Sequence, residues 1–253
     1  MADPKPLKGK VILLTGAAQG IGATIADYIA ARGAFLSLAD FQIDKLNLEA
    51  QRLSMAYPDI QIVASFVNVS DPKSVEEWVT ESKAKFGKID GCVNNAGIIG
   101  DLTSLTEMSY ENFTRVIDVN LTGMFNCLKY QLRVIEEGGS VVNMSSNAGL
   151  HGIPILPAYS CSKFGVIGLT KVAAAQHAHR RVRVNAVCPG FVDGGMQNTL
   201  RNGPPGLNMD EWPVLFKEFL PMSEVAAMVS YLLGDESRFI TRTSFPVDGG
   251  LSG

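Results

Sequence analysis

The chain has only four cysteines, Cys92, Cys127, Cys161 and Cys188. They form no C-x-x-C pair and no His/Cys cluster with metal-ligand spacing. Neither a disulfide framework nor a metal site is expected, and widely spaced reduced thiols fit a cytoplasmic protein. No apolar run reaches the ~18 residues a membrane span needs. The opening MADPKPLKGK has no apolar stretch, so no signal peptide is expected. Charge is also scarce. The net charge is −3 and no block of one sign stands out, which argues against a nucleic-acid partner. The short basic run His179–Arg183 reads as a helix end, where cations suit the dipole.

What remains is a globular chain of 253 residues, 46% hydrophobic and 19% charged. Apolar runs alternate with helical patterns along its whole length. Strands are predicted at 11–15, 35–39, 61–69, 89–94, 140–144, 182–187 and 244–247. Helices are predicted at 21–31, 44–57, 71–86, about 109–137, 159–179 and 223–233. That alternation predicts right-handed crossovers and an α/β fold: a Rossmann-type, doubly wound parallel sheet of about seven strands with helices on both faces. The strands are near-continuous apolar runs, as in a sheet covered on both sides. No linker divides the chain, so one domain over 1–253 is expected. A Gly-, Pro- and Asn-rich insertion at about 194–221 reads as a substrate lid.

The first strand runs into Leu14-Thr15-Gly16-Ala17-Ala18-Gln19-Gly20-Ile21-Gly22. A strand, a tight glycine turn and a helix make a dinucleotide site. Gly16 permits the turn and Gly20 lets backbone approach a pyrophosphate. Gly22 lets the helix pack on the sheet, and its N-terminus offers free N–H groups. Asp40 ends the second strand, 18 residues beyond Gly22, where a carboxylate bonds the ribose hydroxyls. It would repel a 2′-phosphate, and the glycine loop holds no Lys or Arg. Both features favour NAD(H).

Further motifs follow in order: Asn94-Asn95-Ala96-Gly97, Ser146 thirteen positions before Tyr159, Tyr159-Ser160-Cys161-Ser162-Lys163, Pro189-Gly190 and Val247-Asp248-Gly249-Gly250. Together with the glycine loop, this set resembles the single-domain short-chain dehydrogenase/reductase family from about Lys10 to Gly250. Tyr159 and Lys163 stand at i and i+4 on one helix face. A nearby ammonium would lower the phenol pKa and make a base. Ser146 would bond and polarise the substrate oxygen, and Ser145 is one position out of register.

The resemblance implies a catalytic set of Asn120, Ser146, Tyr159 and Lys163. Lys163 also holds the nicotinamide ribose, and Asn120 supports a water relay. It implies cofactor contacts from Gly16, Gln19, Gly20, Ile21, Gly22, Asp40, Phe41, Asn68, Val69, Asn94, Ala96, Gly97, Pro189, Gly190 and Val192. Asn68 stands where an Asp is usual, and Gly194 where a Thr often meets the carboxamide. Arg181 and Arg242 replace glycines, which predicts a left-handed residue at Arg181 and an effect on assembly at Arg242.

The implied reaction is hydride exchange between a secondary alcohol and a ketone. Substrate contacts are expected from Ser146, His151, Ile153, Tyr159, Phe191 and Met196. The apolar character of the lid points to a hydrophobic substrate, cyclic or terpenoid. An epimerase or cyclase on the same scaffold, or a non-enzymatic NAD sensor, are the alternatives. The resemblance also implies a homo-oligomer, a dimer or tetramer. Its face would lie on the long helix and the Tyr159 helix, with Val116, Val119, Met124, Cys127, Phe164, Val166 and Leu169 as compatible positions.

Overall fold

The computed structural model describes residues 5–194 and 214–252. Among them are seven strands: β1 (Val11–Thr15), β2 (Phe35–Asp40), β3 (Ile62–Phe66), β4 (Gly91–Asn94), β5 (Ser140–Met144), β6 (Arg183–Pro189) and β7 (Ser244–Val247). They form one sheet in the order β3-β2-β1-β4-β5-β6-β7, every neighbouring pair parallel. The order reverses between β1 and β4, where Leu14 pairs with Val93 and Thr15 with Asn94. Loops leaving these two strands part to opposite faces, and the crevice between them is where such sheets bind ligands.

Successive side chains of a strand face opposite ways, and β1 shows why both faces must be covered. Ile12 and Leu14 join one core with Ile25 and Ile29 of α1 (Gly20–Ala30), Leu46 of α2 (Ile43–Ala56) and Val229 of the helix Met222–Leu233. Val11 and Leu13 join the other, with Trp78 of α3 (Pro72–Phe86) and Val166 of the helix Pro157–His177. All five β1 residues are buried.

Local signals account for the helix ends. The Asp71 carboxylate accepts from the Lys73 N–H at 2.9 Å, Pro72 occupies the first turn, and Gly87 closes α3 at φ 76°. Ser109 caps α4 (Tyr110–Ile117) by accepting from the Asn112 N–H at 3.1 Å. Proline at position 157 starts α6 (Pro157–His177) two residues earlier than the spacing predicts.

The single helix expected over 109–137 is interrupted. A π turn at Asp118–Thr122 separates α4 from α5 (Gly123–Val134). Hydrophobic periodicity does not register one inserted residue, so only tertiary contacts reveal the bulge. The left-handed conformation expected at Arg181 is present at φ 55°, and Arg242 shares it at φ 65°. The last helix, Met222–Leu233, is α7. The proposed lid falls mostly on 195–213, outside the described residues, as does Met196.

Candidate active site

The glycine loop is built by close approach. A Cβ on Gly22 would lie 1.9 Å from the Gly16 carbonyl oxygen, and one on Gly16 would lie 2.9 Å from the Ala96 Cα. These glycines let α1 and the 94–97 turn close against β1. Thr15 Oγ1 ties the two loops by accepting from the N–H groups of Asn95 and Ala96 at 3.0 and 3.2 Å. Asn95 Nδ2 donates to the Gly16 carbonyl at 3.0 Å.

Gly20 differs. It sits at φ 59° at the start of α1, and a Cβ there would meet nothing within 4 Å. The glycine borders open space at a helix N-terminus, the setting an anion needs. The Asp40 carboxylate accepts from the N–H of Ala18 at 2.9 Å and of Gln42 at 2.9 Å. It braces the loop while remaining half-exposed. Phe41 lies open beside it, its ring 5.4 Å from that of Phe66. One cation does reach the loop, from α2: Lys45 Nζ donates to Gln19 Oε1 at 3.2 Å. A phosphate-bearing dinucleotide therefore fits the crevice.

The other end of the crevice is a cavity of about 150 Å³. Ile21, Gly97, Ser146, Ile153, Tyr159, Lys163, Pro189, Gly190, Phe191 and Val192 line it. Ile99 and Leu156 also line it, as do Asn95, Met144, Asn147 and Leu251, which escaped the sequence reading. Asn95 was already inside a quoted motif. Leu251 reaches the cavity only because the chain end folds back, which no local pattern signals.

Ser146 caps a short 3₁₀ turn, Asn147–Gly149, accepting from the Ala148 N–H at 3.1 Å. It lines the cavity together with Tyr159 and lies close enough to hold back the rise of the phenol's pKa. Ser145 is spent elsewhere, donating to the Lys163 carbonyl at 2.9 Å from a buried position. Of the two serines, Ser146 is the one beside Tyr159.

Lys163 is buried, and its Nζ donates to the Met144 carbonyl at 2.8 Å. It lies 5.5 Å from the centre of the Tyr159 ring. Burial lowers its pKa from the usual 10.5 to about 8. The lowering of the Tyr159 pKa by Lys163 does not appear. Burial raises the phenol above its ordinary value, and the opposing pull comes from Ser146. The reason is geometric, since the ammonium is held by β5 rather than by the phenolic oxygen.

Asn120 sits in the π turn, buried behind the cavity. Its Oδ1 accepts from the Ile98 N–H at 2.8 Å, and its Nδ2 donates to the Ile98 carbonyl at 2.8 Å and to Ser162 Oγ at 3.1 Å. A Cβ on Gly97 would stand 3.2 Å from Asn120 Oδ1 and 3.5 Å from Lys163 Nζ, so both groups converge beneath that glycine.

Asn94, Asn68, Val69 and His151 do not line this cavity. The Asn94 amide is buried, exchanging bonds with Gln131 and donating to Asn143, so it braces β4 from within. Asn68 Oδ1 accepts from the Ser70 N–H at 3.1 Å, and Val69 packs against Gly123. His151 is exposed and does not line the cavity, because it follows the 3₁₀ turn out to the surface. Gly194 has φ 122°, and a Cβ there would strike Met222 at 2.2 Å. A threonine does not fit that backbone.

Residues 16–252 match a family model described as enoyl-(acyl carrier protein) reductase. The chain belongs to the short-chain dehydrogenase/reductase family. It is 40% identical over 255 residues to short-chain dehydrogenase/reductase aba4 of Botryotinia fuckeliana strain B05.10, covering 97% of this chain and 98% of that protein. It is 35% identical over 254 residues to 2,5-dichloro-2,5-cyclohexadiene-1,4-diol dehydrogenase of Sphingobium indicum strain UT26, covering 97% and 98%. A levodione reductase crystal structure superposes with a TM-score of 0.91 at 33% identity, covering 97% of this chain and 98% of that one. Members of this oxidoreductase family act on CH–OH groups and bind a nicotinamide cofactor.

No group of three or more His, Cys, Asp or Glu residues that could hold a metal occurs among the described residues. No helix among them is long and apolar enough to cross a membrane.

Proposed function

We propose that this chain is an NAD(H)-dependent oxidoreductase that interconverts a secondary alcohol and a ketone on an apolar, cyclic or terpenoid small molecule. The observation that carries this reading is the Ser146–Tyr159 hydroxyl pair at the mouth of an apolar cavity, with buried Lys163 behind it.

A bound nicotinamide supplies the hydride acceptor or donor. Everything else falls to the chain. Ser146 donates to the substrate oxygen and fixes its position. In oxidation, Tyr159 takes the hydroxyl proton as hydride leaves the carbinol carbon, and in reduction it returns that proton. Charge developing on the substrate oxygen then meets two aligned O–H groups in a water-poor pocket. Lys163 holds the nicotinamide ribose through its ammonium. Asn120 serves the proton path, since the π turn opens the helix ladder beside Lys163 and offers backbone to a water. Gly16, Gln19, Gly20, Ile21 and Gly22 cradle the pyrophosphate. Phe41, Asn68 and Val69 flank the adenine, and Ala96, Gly97, Pro189, Gly190 and Val192 border the nicotinamide half.

NAD over NADP rests on Asp40, whose carboxylate stands where a 2′-phosphate would be repelled. Substrate class rests on the cavity walls. Ile99, Ile153, Leu156 and Phe191 are apolar, and a relative named for a cyclohexadiene-diol supports a ring-sized ligand.

The chain acts as one unit in the cytoplasm, its four free thiols suiting a reducing compartment. The homo-oligomer reading keeps its faces but changes its residues. Val116, Met124, Cys127 and Val166 are buried within the monomer, whereas Phe113, Phe125, Phe164 and Val172 stay exposed on α4, α5 and α6.

The test is NADH formation at 340 nm from a panel of cyclic and terpenoid secondary alcohols, with NADP in parallel and Tyr159→Phe as control. Turnover with NAD that is lost in the mutant upholds the reading. Cofactor binding without turnover of any alcohol or ketone overturns it.

A further inference from the structure

Asn147 follows Ser146 directly and lines the same cavity, yet neither the cofactor nor the proton path uses it. It is 5% exposed. Its side-chain nitrogen is committed to the chain's last residues, donating to Ser252 Oγ at 2.6 Å and to Asp248 Oδ2 at 3.3 Å. Asp248 is an acceptor held in place. Oδ1 takes the Gly250 N–H at 3.1 Å and Oδ2 takes the Ser252 hydroxyl. A carboxylate can only accept, so the amide nitrogen of Asn147 must face it. The orientation of the amide follows from that charge, and its carbonyl oxygen is turned away from the tail.

That oxygen accepts no hydrogen bond among the described residues. It is also not sealed in the interior. The buried side-chain polar atoms left without a partner among the described residues are Asn112 Nδ2 and Ser244 Oγ. Asn147 itself lines the cavity, so its Oδ1 is an uncommitted acceptor on a lining residue, one position from the serine that meets the reacting oxygen. Ser146, Tyr159 and Lys163 face the reacting centre, and Asn95 and Ser145 donate to backbone carbonyls, so the remaining, largely apolar lining holds few ways to read a second polar group.

We infer that Asn147 is a specificity-determining residue that accepts a hydrogen bond from a second hydroxyl of the substrate, making the preferred substrates diols. The inference rests on the oxidoreductase reading above. One hydroxyl sits between Ser146 and Tyr159 and is oxidised, while the other donates to Asn147 Oδ1. The tail residues Asp248 and Ser252 are positioning residues for that contact.

The test uses the full chain with NAD and compares cyclohexanol with cyclohexane-1,2-, 1,3- and 1,4-diol and with each diol's mono-O-methyl ether. The ether keeps bulk and an acceptor but loses the donor. At least one diol is expected to exceed its ether about tenfold in kcat/KM, the value of one well-made hydrogen bond. Asn147→Ala should bring that ratio to within about twofold. Asp248→Asn, which no longer dictates the amide's orientation, should lower it part of the way. Calorimetric binding of the same pairs to Tyr159→Phe with NAD present reads the contact without turnover, and the diol should again bind about tenfold tighter. The wild-type comparison stands even if a variant fails to fold. Cyclohexanol turning over with every diol matched by its ether overturns this inference and leaves the oxidoreductase reading intact. No turnover of any alcohol or ketone removes both.

Discussion

Lys163 donates to the carbonyl of Met144 at 2.8 Å, so the site's buried ammonium is anchored to the end of β5. A lysine buried this way holds its charge less readily, and its pKa falls to about 8. Tyr159, above it, is pushed the other way by the same burial. One low-dielectric pocket thus drives the two apart, making the ammonium the stronger acid and the phenol the weaker.

The pH dependence follows from those two shifts. Oxidation needs the phenolate, and a raised phenol pKa leaves it scarce at neutrality. The rate of NADH formation should climb from pH 6 and keep climbing to about 8. Above that, Lys163 gives up its proton and the rise should slacken. Lys163→Met should remove the bend and cost roughly 10²-fold or more in rate. Initial rates between pH 6 and 10 measure this. A level profile from pH 6 to 9 would place the Tyr159 pKa below neutrality and contradict the raised value.

Cofactor choice should turn on Asp40. Two unit charges ~4 Å apart interact by about 1–4 kcal/mol between water and a protein surface. Asp40→Asn removes the charge and keeps an acceptor for the loop. The ratio of kcat/KM with NADP to that with NAD should rise about tenfold or more, helped by Lys45 at the loop's rim. Titration of NADH and NADPH fluorescence gives the same comparison at equilibrium. An unchanged ratio would mean that the carboxylate's bonds to Ala18 and Gln42 are its whole purpose.

How much of this was visible beforehand depends on the kind of signal. The sheet was legible because β1, β4, β5 and β6 are buried on both faces and spell continuous apolar runs. Gly16, Asp40, Ser146 and Tyr159 stood out because the chemistry expected of them needs fixed spacing, and the fold brings Ser146 and Tyr159 to one cavity. The π turn at Asn120 was not, since one extra residue slips the apolar pattern by a single position, too little to tell from its ordinary irregularity. Asn147 meets Asp248 and Ser252 through contacts spanning most of the chain's second half, which only folding reveals. Of the oligomer positions, Val116, Met124, Cys127 and Val166 are buried in the chain's own core while Phe164 is exposed. An apolar helix residue looks the same whether it faces its own sheet or another copy.

Two of the loop's three glycines, Gly20 and Gly22, should fail differently. Gly22→Ala drives a Cβ to 1.9 Å from the Gly16 carbonyl, an overlap with backbone that cannot yield. It should cost about 3 kcal/mol or more and lower the melting temperature sharply. Gly20→Ala meets no atom and pays only for a left-handed alanine, about 1–2 kcal/mol. Its fold should survive while dinucleotide affinity drops, because the new methyl stands in the space the phosphates need. Thermal melts beside NADH titration separate the two. Equal losses of affinity in proportion to stability would deny Gly20 its place at the cofactor.

Arg181 offers a gain. It ends the 3₁₀ turn Ala178–Arg180 with φ 55°, donating its N–H to the Ala178 carbonyl at 2.9 Å. The turn must be that tight because the neighbouring Arg180 guanidinium is tied to the carbonyls of Leu132 and Ile135, and β6 begins two residues on. A non-glycine residue pays about 1–2 kcal/mol for this backbone. Glycine removes that cost and gives back about 0.5–1 kcal/mol through the freer unfolded chain. Arg181 is exposed, so little packing is lost. Arg181→Gly should therefore stabilise by about 0.5–1 kcal/mol, raising the melting temperature by roughly 1–4 °C for a chain of this size. Arg181→Ala keeps the strain and should give no such rise. Equal melting temperatures for the glycine and alanine variants would mean that the side chain, not the backbone angle, sets stability at this turn.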